Sequence, residues 1–282
     1  MKIEFTKMTG AGNDFVVIDN RSRRITNGPR AAKQLCDRRW GIGADGLLLL
    51  ERSRKADYRM MYYNADGSYG GMCGNGGRCI ALYAVRNRIA PAKHSIEALD
   101  YVYKAVVKRD SVTLWMKKPK DLQINASLRL QGRRQLINFV DTGSPHAVVP
   151  INTLADGTSK LEELDAYTLG RRLRYHPHFA PKGTNANFVQ LSRDKSVKLR
   201  TYERGVESET LACGTGSIAA AIVAYKIWDV KPPVKLIPRS GVPLIVNFRA
   251  ERGEIEDVRL TGPAQFVFRG AIELDLKIFS RR

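Results

Sequence analysis

Two cysteines open the same short pattern, Met72-Cys73-Gly74-Asn75-Gly76 and Ala212-Cys213-Gly214-Thr215-Gly216. Each is followed by an apolar run, so each thiol is expected at the N-terminus of a helix. The unpaired N–H groups and dipole at such a terminus lower a thiol's pKa and also attract a carboxylate. A thiolate base beside an anion site is what removal of a proton next to a carboxylate needs. Two such sites point to two bases facing one α-carbon, one taking a proton while the other donates, so that the stereocentre inverts.

The elements that would hold these thiols follow from pattern and turn chemistry. Residues 5–19 read as a strand, the Gly-rich loop Gly10-Ala11-Gly12-Asn13-Asp14 and a second strand; 29–38 read as a short helix. Strands are expected at 47–51 and 58–63, then the turn Asn64-Ala65-Asp66-Gly67 before the first cysteine. A helix over 74–86 and strands over 101–107 and 112–116 complete the first half. Lys117-Lys118-Pro119-Lys120, polar and Pro-containing, marks a domain crossing.

The second half reads as a shorter repeat. GTNANFVQ at 183–190 echoes GAGNDFVV at 10–17, and 197–202 is a strand. Glu203-Arg204-Gly205 is a turn where the first half has Asn64, and the second cysteine opens a helix over 217–226. Residues 218–225 are apolar on every face, the mark of an enclosed helix, and too few to span a membrane. Each half is expected to be strands around one central helix.

Composition narrows the class. A chain of 282 residues with 43% hydrophobic and 27% charged residues is ordinary globular protein, long enough for two domains. The start Met1-Lys2-Ile3-Glu4-Phe5 lacks a signal-peptide pattern and no apolar run approaches ~20 residues, so a cytoplasmic protein is expected. The 47 Lys+Arg against 28 Asp+Glu, a net +19, are scattered, with short clusters only at Arg21-Ser22-Arg23-Arg24, Arg133-Arg134 and Arg171-Arg172. With no aromatic RNA-binding signature beside them, they read as a solvated basic surface that steers anionic substrates rather than as a nucleic-acid site. Cys36 and Cys79 are expected as buried thiols; the Cys73 to Cys79 spacing is poor for zinc, and no metal is expected.

At the two cysteine loops the chain resembles the diaminopimelate epimerases, a pyridoxal-independent amino-acid epimerase family. The similarity runs from Met8-Thr9-Gly10-Ala11-Gly12-Asn13-Asp14-Phe15 to Thr261-Gly262-Pro263-Ala264. It implies an α+β fold of two pseudo-symmetric domains, each a curved mixed sheet around a central helix, with the active site in the interdomain cleft. The last strand would cross back, giving domains of 1–118 plus 264–282 and of 119–263. Many members are homodimers.

The resemblance also implies the chemistry: epimerisation of LL-2,6-diaminopimelate to the meso form, a step toward lysine and peptidoglycan, with no cofactor. Cys73 and Cys213 would exchange the α-proton, with Glu203 and His146 shuttling protons near them. Backbone amides of Gly74, Asn75, Gly214 and Thr215 would meet the developing enolate charge. Asn13, Asn64 and Asn185 match positions that bind the substrate's amino and carboxyl groups, and Arg204 suits a bidentate clamp on the distal carboxylate. The chain has Gly46 where some members have Gln, and Ser144 where many have Asn; both bear on fine specificity and leave the two-thiol mechanism intact. The alternatives are the same machinery acting on another amino acid, such as histidine or glutamate, and, from a different class, a basic nucleic-acid-binding protein.

Overall fold

The computed structural model describes residues 1–130, 132–154 and 157–274, and the chain falls into two units. The first is Met1–Leu114 with the described residues from 262 onward; the second is Trp115–Thr261. Residues 275–282, which the sequence reading assigns to the first domain, lie outside the described residues.

In chain order the first unit carries β1 (Lys2–Gly10), β2 (Asn13–Asp19), α1 (Gly28–Cys36), β3 (Gly46–Glu51), β4 (Tyr58–Asn64), α2 (Gly74–Arg86), β5 (Lys93–Ala98), β6 (Tyr101–Lys108) and β7 (Ser111–Trp115). There follow β8 (Lys120–Leu130), β9 (Arg133–Asp141), β10 (Pro145–Pro150), α3 (Ala166–Arg174), β11 (Asn185–Leu191), β12 (Val197–Glu203) and β13 (Ser208–Thr210). The last elements are α4 (Gly214–Trp228), β14 (Val234–Pro238), β15 (Leu244–Glu251), β16 (Glu254–Pro263) and β17 (Gln265–Glu273), the last of which pairs with β1 of the first unit.

Strand pairing makes the two units topological copies. In the first the order is β17-β1-β2-β3-β4-β5-β6-β7, with only the β2–β3 and β4–β5 pairs parallel. In the second the order is β8-β9-β10-β11-β12-β14-β15-β16, with only β10–β11 and β12–β14 parallel, the same places in the succession. The short β13 lines the end of β12 as Tyr69 bridges to Tyr63 of β4.

This alignment corrects two details of the sequence reading. The second half is not shorter: α3 stands for α1 and α4 for α2. GTNANFVQ therefore answers to β3, not to the β1–β2 turn it echoes in sequence. The helix that shifts the register, α3, buries only Ala166, Gly170 and Leu173, too faint an apolar stripe to announce itself. Strand β5 and the β8–β9 hairpin also went unforeseen.

Each sheet curls about its central helix. Helix α2 packs against β1, β2, β3, β4 and β6, and α4 against strands from β8 to β15, so strands far apart in either order touch one helix. Four successive leucines of β3 are buried because the strand is covered on both faces. Leu47 and Leu49 pack with Ala31, Ala32 and Leu35 of α1, while Leu48 meets α2 at Gly76. Enclosure also explains why Ile218 to Ala224 of α4 is apolar all round.

Candidate functional site

Both thiols cap their helices. Cys73 is the N-cap of α2 at φ −111° and ψ 124°, and Cys213 the N-cap of α4 at −118° and 117°. Each sulfur accepts from the backbone N–H three residues on, Gly76 and Gly216, at 3.4 Å in both cases. A Cys thus takes the place that Ser or Asp usually fills, at the end of the helix that attracts negative charge. Gly74 and Asn75, and Gly214 and Thr215, are the first two residues of the two helices, where N–H groups lack intrahelical acceptors.

Around Cys73 the first unit builds a chain of oriented amides. Arg78, 0% exposed one turn into α2, donates to Asn75 Oδ1 at 2.9 Å and to the Gly74 carbonyl at 3.1 Å. Asn75 Nδ2 donates to Asn13 Oδ1 at 2.8 Å, and Asn13 Nδ2 donates to Asp45 Oδ2 at 3.0 Å. A buried cation at one end and a carboxylate at the other polarise the amides between them and fix which way each points. Asn13 is brought to its place by a two-residue hairpin turn with positive φ at Ala11 and Gly12, 58° and 103°. Asn64 stands apart from this chain: its Oδ1 accepts from the Tyr62 hydroxyl at 2.6 Å and its Nδ2 donates to Ser68 Oγ at 2.9 Å.

Gly46 opens β3 against the Tyr62 ring, which would lie 2.5 Å from a Cβ there. Tyr62 therefore fills the space that a side chain at this position would enter.

Around Cys213 the second unit gathers Thr215, His146, Asn185 and Arg204. Thr215 Oγ1 lies 3.5 Å from the sulfur, and Ser144 Oγ is 3.4 Å from Thr215 Oγ1 and 3.0 Å from His146 Nε2. Asn185 Oδ1 accepts from the Arg204 N–H at 2.9 Å, and its Nδ2 donates to the Pro145 carbonyl at 2.8 Å. The Arg204 guanidinium reaches the Lys182 carbonyl at 3.2 Å and forms no ion pair among the described residues, which leaves donors for a carboxylate. Glu203, at the end of β12, accepts from Thr210 Oγ1 at 3.1 Å.

His146 lies deepest of the expected site residues. Its side chain is enclosed, 0% exposed, and burial, reinforced by the Arg204 charge, pulls it down to about 3. The ring is held at both nitrogens, with Nε2 3.0 Å from Ser144 Oγ and Nδ1 3.0 Å from Asn187 Nδ2. Cys36 and Cys79 are buried as expected, and burial pushes both thiols up to about 12.

The sequence profile described as diaminopimelate epimerase matches residues 5–118 and 138–266. A diaminopimelate epimerase of Chlorobaculum tepidum is 44% identical over 95% of this chain and 100% of its own length. One of Aquifex aeolicus is 38% identical over 96% and 98%. The chain belongs to the diaminopimelate epimerase family. More distant solved structures share the fold. A hydroxyproline epimerase of Agrobacterium vitis aligns with TM-score 0.72 at 16% identity, covering 97% of this chain and 93% of that one. A phenazine biosynthesis protein of Bacillus anthracis aligns with TM-score 0.72 at 15% identity, covering 97% and 100%.

Three residues that hold the expected ones in place escaped the sequence reading: Arg78, Asp45 and Asn187, whose Nδ2 lies 3.0 Å from His146 Nδ1. A charged residue inside the otherwise apolar run after Cys73 was the available signal for Arg78. Asp45 and Asn187 looked like loop and strand residues, with nothing in their neighbours to set them apart.

Proposed function

We propose that the protein inverts one α-carbon of LL-2,6-diaminopimelate to give the meso form, as an isomerase serving lysine and peptidoglycan precursor synthesis. Cys73 and Cys213 are its paired acid and base. The observation that carries this reading is the matched pair of N-capping thiols at equivalent places in two topologically equivalent units, in a chain of this family.

In the reaction one thiolate takes the α-proton and becomes a thiol, while the other thiol gives its proton to the opposite face and becomes a thiolate. Negative charge moving onto the substrate carboxylate is met by the N–H groups of Gly74, Asn75, Gly214 and Thr215. Two thiolates across one small substrate would repel, so the working form carries a single shared proton. Asn13 and Asn64 contribute polar groups for the substrate's amino and carboxyl ends, and Arg204 takes the distal carboxylate. Asn185 acts mainly by holding the Arg204 backbone, since its amide is engaged there. Glu203 supports the second thiol's proton exchange. A homodimer is part of the proposal and is tested by sedimentation.

The test is exchange of the α-proton of LL-diaminopimelate with solvent deuterium, followed by mass spectrometry against a panel including histidine and glutamate. Cys73→Ala and Cys213→Ala should each lose about 100-fold or more, the usual contribution of a proton-transfer group. Full-rate exchange in both variants would overturn the two-thiol reading, and preference for another amino acid would overturn the substrate.

A further inference from the structure

The two capped thiols rest on different floors. Strand register makes His146 and Asn187 in the second unit the counterparts of Phe15 and Leu48 in the first. A Cβ on Gly76 would meet Leu48 at 3.1 Å and Phe15 at 3.5 Å, whereas one on Gly216 would meet Asn187 Oδ1 at 2.4 Å. Beneath α2 the first turn sits on hydrocarbon; beneath α4 it sits on hydrogen-bonding groups.

The hydrogens of that polar floor can be assigned in order. Asn187 Nδ2 donates to the Ala147 carbonyl at 3.0 Å, and its Oδ1 accepts from Thr201 Oγ1 at 3.0 Å, which fixes the amide's orientation. The second Nδ2 hydrogen points to His146 Nδ1 at 3.0 Å, so that nitrogen is an acceptor and the ring's only proton is on Nε2. Nε2–H donates to Ser144 Oγ at 3.0 Å. Asn185 Nδ2, oriented by Pro145 and Arg204, approaches the same oxygen at 3.4 Å. Having accepted from both, Ser144 directs its own hydrogen to Thr215 Oγ1 at 3.4 Å, and Thr215 directs its hydrogen to the Cys213 sulfur at 3.5 Å.

We propose that Ser144 and Thr215 are positioning residues for Cys213, forming a hydroxyl chain whose direction is set by enclosed His146 and which ends in an O–H donor to the thiolate. No proton travels along the chain. It holds one donor aimed at sulfur while the α-proton moves. This deepens the two-thiol reading and rests on it for its catalytic meaning.

The experiment alkylates the folded protein with iodoacetamide between pH 5 and 9 and follows each cysteine by peptide mass spectrometry. Thr215→Val should raise the Cys213 midpoint by about one pH unit, the worth of one hydrogen bond to a charged group. Below the midpoint that means about tenfold less thiolate, partly offset by an about threefold more nucleophilic sulfur, for a net slowing of about threefold. Cys73 serves as the internal control and should keep its rate. Thr215→Ser should restore Cys213, and Ser144→Ala should shift it in the same direction by less. Glu203, Arg204 and Asp141, charged groups at or beside the ends of β12 and β9 that pack on α4, are left unchanged in every variant. Turnover should show a lower kcat with little change in KM, because the donor acts on the base and not on bound substrate.

An unmoved Cys213 midpoint in Thr215→Val, or an equal shift at Cys73, would overturn the proposal. Alkylation needs no turnover. Failure of wild-type exchange on diaminopimelate would therefore remove the functional reading, while the hydroxyl chain would still stand or fall on the alkylation rates alone.

Discussion

Replacing Gly216 by Ala tests how tightly the second thiol's helix is seated, and Gly76→Ala supplies the matched control. At Gly216 the new Cβ would lie 2.4 Å from Asn187 Oδ1, too close to stand. Asn187 cannot simply swing away, because it is held by Thr201, Ala147 and His146 at 3.0 Å each. Losing two or three such bonds at about 1 kcal/mol each costs about 2–3 kcal/mol. The gain from Ala over Gly in a helix offsets about 0.5–1 kcal/mol, leaving a net loss near 2 kcal/mol. At Gly76 the neighbour is a Leu48 methyl at 3.1 Å, which can turn aside, so the same substitution should come out within about 1 kcal/mol of neutral. Urea unfolding followed by circular dichroism gives the difference, and hydrogen exchange in peptides from β11 and α4 should localise it to the second unit. A Gly216→Ala protein as stable as Gly76→Ala would refute the view that Asn187 is fixed.

Three further outcomes follow from groups described above. Arg78→Met should destabilise by about 3 kcal/mol or more, because it strips donors from Asn75 Oδ1 and the Gly74 and Pro263 carbonyls inside the first unit; a thermal melt matching wild type would contradict that role. His146 is held at about 3 when folded against an ordinary 6.5, so between those values the unfolded chain binds a proton that the folded one does not. Its contribution is therefore complete above about pH 6.5 and lost on acidification toward 3, by up to about 1.4 kcal/mol per pH unit; urea midpoints from pH 7 to 4.5 should fall less steeply in His146→Gln. Gly46→Gln should cost about 1–3 kcal/mol through collision with Tyr62, and Tyr62→Ala should recover only part of it in a double-variant unfolding series, since the Tyr63 carbonyl also lies 2.7 Å from the new Cβ.

The chemistry was more legible in the sequence than the architecture that supports it. A Cys before Gly-x-Gly and an apolar run announces a capped helix because N-cap and helix signals are local; α2 begins at Gly74 as expected, and α4 at Gly214, directly after its cysteine and three residues ahead of the expected 217. The β8–β9 hairpin was hidden because register shifts near Asp121 and Asn125, both at positive φ, break the alternation that marks a strand. The echo between GTNANFVQ and GAGNDFVV misled because any buried strand after an Asn-bearing loop looks alike over eight residues, and only the pairing order tells β3 from β2. The site was legible as a set of residue types. How deeply each member is buried, as His146 is, depends on packing across the sheet, which no single motif encodes.

The outer edge of β1 is covered by β17, a strand that the chain delivers only after the whole of the second unit. During synthesis the half made first must wait longest for its last strand, while the later half can finish from contiguous sequence. Until β17 emerges, the nascent protein carries a bare row of backbone donors and acceptors along β1, where another ribosome's product could attach.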